Sequence, residues 1–250
     1  MIEIKNGDSL QLMKELKDES IDLIVTDPPY FRVMIREYNG KMHDWDNQWE
    51  SFEDYLNWCR TWFNELNRVL KVNGSLYVFA DDKISAYIQV ELDKLFNLKN
   101  NIVWVKPNNM PIKGWRSYHC YAPITERILF YSKDLKKNEY KGCFTPKRNF
   151  TDVWTFPITS SSEDTYHPTQ KPISILNRII QTSSRKGDTV LDPFMGSGTT
   201  GVASVAFRRN FIGYELDEKY FKIAKDRIEN TNIILNDAGT NGLQEFEVVE

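Results

Sequence analysis

Asp27, Pro28, Pro29 and Tyr30 follow directly on the apolar, β-branched run Ile21-Asp22-Leu23-Ile24-Val25-Thr26. The run predicts a short buried strand, and the tetrapeptide stops it hard. Two consecutive prolines fix φ and contribute no N–H donor. Pro28 also keeps Asp27 out of the helical region, so the turn stays extended. The product is a rigid acceptor cluster, a carboxylate plus a main-chain carbonyl, with an aromatic ring beside it. Such a cluster suits a planar group that donates hydrogen bonds from an exocyclic amine and stacks on a π-face, as a nucleobase does. A strand-ending proline turn with a buried tyrosine is the competing reading, and the tetrapeptide alone does not separate the two.

A second motif lies far downstream. Thr189 to Leu191 predicts another short strand, and a helical pattern begins at Val202 and runs to Phe207. Between them stands the turn Gly196-x-Gly198-x-x-Gly201. Glycines there permit positive φ and let a ligand approach the backbone without meeting a Cβ, and the helix beyond offers unpaired N–H groups. Fourteen residues past Gly201, the strand Phe211 to Tyr214 ends in Glu215, placed to accept from ribose hydroxyls. This spacing matches a dinucleotide fingerprint. By itself it does not separate NAD from another adenosine-containing cofactor, or either from a tight strand-to-helix turn without ligand.

Taken together, Asp27-Pro28-Pro29-Tyr30 and Asp192-Pro193-Phe194-Met195-Gly196-Ser197-Gly198-Thr199-Thr200 resemble the amino-group DNA methyltransferases, which methylate adenine N6 or cytosine N4. The order, catalytic tetrapeptide first and glycine turn later, looks like the β-group of that family. Asn6-Gly7-Asp8, Arg68-Val69-Leu70-Lys71-Val72-Asn73-Gly74 and His167-Pro168-Thr169-Gln170-Lys171-Pro172 extend the match over roughly residues 1 to 230. The resemblance implies an α/β fold, a Rossmann-like class I methyltransferase. It would have a central, mostly parallel seven-stranded sheet with helices on both faces and a circularly permuted motif order.

The resemblance also implies S-adenosyl-L-methionine as cofactor and Asp27, Pro28, Pro29 and Tyr30 as the catalytic set. In that set the Asp27 carboxylate and the Pro28 carbonyl accept the two hydrogens of the target amine, and Tyr30 stacks on the base. Asp192, Pro193, Phe194, Gly196, Ser197, Gly198 and Thr199 correspond to the cofactor loop, and Glu215 with Leu216 to the ribose end. Asp8 corresponds to a position near the cofactor's adenine, and Asp27 borders the cofactor as well. Thr169, Gln170 and Lys171 correspond to the methionine end, where Lys171 offsets the carboxylate; His167 either joins them at the cofactor or is a turn residue held by Pro168. Asp rather than Ser at the first tetrapeptide position leans towards adenine N6, with cytosine N4 as the alternative. An NAD-dependent oxidoreductase would satisfy the glycines and Glu215 but leaves Asp27 to Tyr30 and His167 to Pro172 unexplained. Double-stranded DNA is the implied partner, and the resemblance admits a homodimer and a cognate restriction endonuclease.

The elements that must position these residues are legible as alternating patterns over the 250-residue chain. Strands are predicted at Ile2 to Ile4, Ile21 to Val25, Leu76 to Phe79, Ile102 to Val105, Arg127 to Tyr131, Thr189 to Leu191 and Phe211 to Tyr214, with helical patterns between most of them. The best helix runs from Phe52 to Leu70, with apolar residues at three- and four-residue spacing and a capping box at Ser51-x-x-Asp54. Pro172 is expected as the first residue of another. One catalytic domain over residues 1–235 is expected. It carries a target-base loop at about 31–50, an inserted recognition region at about 108–165, and a tail at 236–250.

The net charge of −3 argues against a binder driven by charge alone, but its distribution is uneven. Residues 106–148 hold ten Lys or Arg against three acids, a local +7 that leaves −10 elsewhere. Phosphate contact at one face needs such a segment; Lys106, Lys113, Arg116, Lys141, Lys147 and Arg148 are its candidates, and Arg32 in the target-base loop is a further one. A solvated face with ordinary core aromatics is the competing account. Three scattered cysteines and three histidines give a metal site poor support. No apolar run reaches membrane-spanning length and no basic-then-apolar leader opens the chain, so a cytoplasmic protein is expected.

Overall fold

The computed structural model describes residues 1–31, 48–107, 121, 123–133, 142–159 and 170–232. Arg32, Lys113, Arg116, Lys141, His167 and Thr169 lie outside the described residues. So do nearly all of the expected target-base loop, much of the 108–165 region and the 236–250 tail.

Each of the seven expected strands is present, and an eighth joins them. β1 (Ile2–Asn6), β2 (Ile21–Thr26), β3 (Leu70–Ala80), β4 (Asn97–Val105), β5 (Thr125–Ser132), β6 (Val153–Thr155), β7 (Thr189–Asp192) and β8 (Asn210–Glu215) form one sheet in the order β1-β8-β7-β2-β3-β5-β4-β6. Among the described residues the count of seven is therefore corrected to eight. β6 is only three residues long, with Trp154 buried between two exposed neighbours, and offers too little alternation to be read from sequence. Five of the neighbouring strand pairs are parallel, and β5 alone runs against its neighbours β3 and β4.

Successive side chains on a strand point to opposite faces, and both faces here are apolar. From β2, Ile24 enters one core with α1 (Ser9–Met13), α2 (Phe52–Val69) and α3 (Ser85–Leu92). Leu23 and Val25 enter the other with α4 (Ile173–Ser183), α5 (Thr199–Ala206) and α6 (Glu218–Glu229). Leu23, Ile24 and Val25 thus need no polar alternation, because neither face meets water.

The helix ends obey local chemistry. The capping box of α2 is formed, with Ser51 Oγ accepting from Asp54 N and Asp54 accepting from Ser51 N. Leu70 turns extended and opens β3 directly, so α2 ends one residue earlier than expected. Pro172 is the N-cap of α4 rather than its first helical residue. α5 begins at Thr199, earlier than the apolar pattern suggests, because Gly198 in the left-handed region (φ +82°) turns the chain into it. Among the described residues no helix is long and apolar enough to cross a membrane.

The three glycines of the turn do different work. Gly196 and Gly198 have positive φ. Gly201 instead lies buried within α5, where a Cβ would strike Ile228 of α6 and come within 2.7 Å of Phe211 on β8. It serves close packing of helix on strand rather than ligand approach. Gly201→Ala is therefore expected to destabilise the fold by roughly 1–3 kcal/mol through overpacking, read as a lowered thermal unfolding midpoint.

Candidate active site

β2 and β7 are hydrogen-bonded neighbours, with Leu23 opposite Val190 and Ile24 opposite Leu191. From β2 the chain crosses through α2 to β3 on one side; from β7 it crosses through α5 to β8 on the other. This is a topological switch point, where ligands of open α/β sheets bind beyond the strand C-termini. A cleft of about 930 Å³ opens there, at the upper end of the range for small-molecule sites. Asp27, Pro28, Pro29 and Tyr30 line it, as do Asp8, Gln170, Lys171, Asp192, Pro193, Phe194, Gly196, Ser197, Thr199, Glu215 and Leu216. Gly198 lies outside the lining, packed against Ala224 of α6.

Three of the turn's acceptors are engaged. Tyr30 donates its hydroxyl to Asp27 Oδ1 at 2.6 Å, and Lys171 Nζ stands 2.5 Å from Asp27 Oδ2. The Pro29 carbonyl accepts from the Tyr55 hydroxyl on α2 at 3.2 Å, which ties the proline turn to the helix layer. Lys171 is buried, 5.3 Å from the Phe79 ring centroid and 5.7 Å from that of Tyr30. Its ammonium also faces Glu126 Oε2 at 3.6 Å, while Glu126 Oε1 accepts from Lys106 at 2.7 Å. The charges therefore alternate along a buried line: Asp27, Lys171, Glu126, Lys106.

Burial pushes the Asp27 carboxyl above its ordinary range; Lys171 opposes this, and the Glu126 charge adds to it. Burial works against the Lys171 ammonium, but Asp27 and Glu126 together outweigh it and hold the group charged. Burial likewise works to raise Glu126, and Lys171 with Lys106 overcomes it and holds that carboxylate low. Burial, followed by the negative charge of Asp27, keeps the Tyr30 phenol protonated.

The glycine turn is stapled from both sides. Asp192, at the end of β7, accepts from Thr200 Oγ1 at 2.6 Å and from Phe194 N at 3.1 Å, so it joins strand end to helix start. Glu215 Oε2 accepts from Gly196 N at 2.9 Å and Oε1 from Asp217 N at 2.8 Å. Arg227 of α6 donates to the Ser197 carbonyl and to Thr199 Oγ1, and Ser197 Oγ donates to Gln170. Asp8 caps α1 by accepting from Gln11 N, and Asn6 Nδ2 reaches the carbonyls of Glu215 and Leu216. Phe194 packs edge-on against Trp62 and tilted against Trp58.

The basic segment divides. Lys106, expected at a phosphate, is instead inside the cleft beside Glu126, with its ammonium 5.3 Å from the Trp104 ring. Arg127 pairs with Asp82 and Lys133 with Glu19. Lys147 and Arg148 follow Thr145, whose N–H reaches the Thr182 carbonyl in the last turn of α4, the end opposite Lys171. They therefore stand apart from the cleft. Trp104 and Trp154 are buried core residues.

Glu126 was not among the expected site residues. Because β5 runs against its neighbours, its first residues arrive at the edge where β2, β3 and β7 end. The available signal was a single acid at the head of an apolar strand, which carries no direction.

Among the described residues, seven carboxyl groups (Asp8, Asp27, Asp81, Glu126, Asp192, Glu215 and Asp217) line the cleft against two lysines, Lys106 and Lys171. Such a lining suits a ligand bearing positive charge and opposes a pyrophosphate. In the turn ahead of the helix, Gly196 N and Gly198 N are bonded internally to Glu215 and Met195 and are not offered to a pyrophosphate. The residues thus fit a sulfonium nucleoside better than NAD.

Comparison with known proteins agrees. Residues 21–226 match the family of DNA methylases that act on N6 or N4 amino groups. The chain is 34% identical, over 94% of its length and 70% of the relative's, to the type II methyltransferase M.HinfI of Haemophilus influenzae. It is 35% identical to M2.DpnII of Streptococcus pneumoniae, over 91% of this chain and 89% of that one. The crystal structure of the M1.HpyAVI–SAM complex superposes with a TM-score of 0.71 at 31% identity, covering 91% of this chain and 99% of the other.

Asp192 offers a direct measure of the cleft's low polarity. Burial, only partly offset by Thr200 and the Phe194 N–H, pushes its pKa from 3.8 to about 7. Between those values the folded state keeps a proton that the unfolded state has released, so stability falls as pH rises through the window. In Asp192→Asn that component is absent. Relative to the variant, the wild-type unfolding midpoint is expected to drop between about pH 4 and pH 7 by an amount worth at most roughly 4 kcal/mol. Parallel midpoint curves for the two proteins would refute it.

Proposed function

The chain belongs to the N6/N4 DNA methylase family, and from that membership we propose that it methylates the N6 amino group of an adenine flipped out of double-stranded DNA. The observation that carries this reading is the shared cleft: the acceptor tetrapeptide after β2 and the glycine turn after β7 open into one space at the switch point. S-adenosyl-L-methionine, when bound, supplies a methyl group on a positively charged sulfur. Asp8, Phe194, Gly196, Ser197 and Glu215 would hold it, with the cleft's excess of carboxylates favouring its charge.

The rest of the chemistry falls to the chain's own side chains. An adenine amino nitrogen is a poor nucleophile because its lone pair is delocalised into the ring. Asp27 and the Pro28 carbonyl, accepting its two hydrogens, orient the nitrogen and draw the lone pair out of conjugation. Catalysis is then mostly positioning and electrostatics. As positive charge develops on nitrogen, the Asp27 carboxylate opposes it and is the nearest acceptor for the proton that must leave. Its raised pKa suits that acceptance. Tyr30 offers its ring to the base and its hydroxyl to Asp27, so one residue both stacks and fixes the acceptor.

The target atom is unreachable inside a duplex, and extruding the base costs a few kcal/mol. Arg32, Lys113, Arg116, Lys141, Lys147 and Arg148 remain the proposed phosphate contacts. A cognate restriction endonuclease, a second copy of the chain and a cytoplasmic setting are part of the same proposal. The type II designation of the relatives supports the endonuclease.

Sequencing modified bases in DNA from cells expressing the chain is expected to return N6-methyladenine within one short recognition sequence. N4-methylcytosine as the sole product would overturn the choice of base. Asp27→Ala is expected to lower methyl transfer by at least about a thousandfold. The thermal shift given by S-adenosylhomocysteine should persist in that variant. Transfer near the wild-type rate would remove Asp27 from the mechanism.

A further inference from the structure

Both oxygens of the proposed catalytic carboxylate are taken. Tyr30 holds Asp27 Oδ1 and Lys171 holds Oδ2, the latter at 2.5 Å. Each oxygen keeps a second lone pair, so an entering amino group can still bond to the carboxylate. Lys171, however, cancels the negative charge that the reaction requires beside the nitrogen. A shift of the ammonium towards another anion would restore part of that charge.

Glu126 is placed to draw it. Its Oε2 is buried, makes no hydrogen bond, and lies 3.6 Å from Lys171 Nζ. A buried oxygen left without a donor costs free energy. Moving Nζ by less than about 1 Å would give it one at ordinary distance. The lysine stem allows that movement, and the Phe79 and Tyr30 rings flank the ammonium. Glu126 itself stays put, because Lys106 holds Oε1 at 2.7 Å and the residue is registered opposite Trp104 in the β4–β5 ladder.

We propose that Lys171 is a switch between two carboxylates, closing Asp27 in the free enzyme and shifting to Glu126 when an amino group enters. Glu126 is thus a positioning residue that acts through Lys171 to loosen the hold on the acceptor. The inference rests on the methyl-transfer reading above and deepens it: the amine meets a carboxylate whose charge Lys171 offsets, and Glu126 decides by how much.

Among the described residues, Tyr30 from the same turn, Lys171 ahead of α4, Glu126 from β5 and Asp192 at the end of β7 act on Asp27, and Lys106 after β4 and Asp81 after β3 share its cleft. Of these, Glu126 both repels Asp27 and competes for Lys171. Its removal leaves Lys171 on Asp27 and lowers the pH at which that carboxylate protonates.

The test compares the full-length wild type with Glu126→Gln and Glu126→Asp in single-turnover methyl transfer to DNA across pH. S-adenosylhomocysteine affinity is measured by calorimetry on each protein. Glu126→Gln is expected to keep affinity within about twofold while the transfer rate falls about tenfold or more. The acid limb of its pH profile should move to lower pH. Glu126→Asp, which restores the charge on a shorter stem, is expected to recover part of the rate and the wild-type limb. A wild-type rate and unmoved limb in Glu126→Gln would overturn the proposal. So would equal losses in both variants accompanied by loss of cofactor affinity, since that is damage to the cleft as a whole. A wild type that transfers no methyl group to DNA would sink the parent reading itself, a result separate from any behaviour of the variants.

Discussion

The parallel pairing of β2 with β7 is the constraint on which the molecule's chemistry depends. These strands come from chain segments more than 160 residues apart, yet their register puts Asp27 and the Asp192–Gly198 turn on one edge of the sheet. The chain leaves that edge in opposite directions, through α2 and through α5, so neither crossover covers the gap between them. Both faces of the two strands are sealed by apolar helices. A cleft lined by carboxylates can therefore open at the strand ends while the core immediately beneath stays dry.

Dryness at the floor of the cleft governs its electrostatics. Asp27, Asp192 and Glu215 are all shifted upward with burial as the leading cause, and each is held by donors that only partly compensate. In such surroundings a lone charge is expensive, and the protein answers with alternation: carboxylate, ammonium, carboxylate, ammonium across the ends of β2, β5 and β4. Each member has a neighbour of opposite sign, and the one poorly satisfied position, Glu126 Oε2, lies next to the most centrally placed cation. A line of charges with one vacant acceptor leaves Lys171 room for the shift proposed between its two carboxylates.

Much of this was legible beforehand for local reasons. The prolines of Asp27-Pro28-Pro29-Tyr30 constrain their own backbone, and the capping box at Ser51 and Asp54 acts within one turn. The glycine turn announces itself through spacing. All seven strands predicted from β-branched or alternating runs are present. What escaped notice depended on direction or on distant contact. Gly201 reads as a ligand-approach glycine until Ile228 and Phe211 are found against it. Lys106 reads as a phosphate contact until Glu126 is found beside it. β6 has too few residues to alternate, and is held as a strand only because β4 offers an edge.

By itself, the sequence determined the chemistry of the parts: an acceptor made rigid by proline, a turn made possible by glycine, and an acid set to follow a strand. These are properties of a residue and its near neighbours, and backbone sterics enforce them in any surroundings. Tertiary structure alone decided which charges meet. Glu126 belongs to the site because β5 runs backwards, and Lys171 is spent on Asp27 because α4 begins where β2 ends. Strand direction and long-range register leave no mark on local composition, while the energy of a buried charge is set almost entirely by what stands within a few ångströms of it.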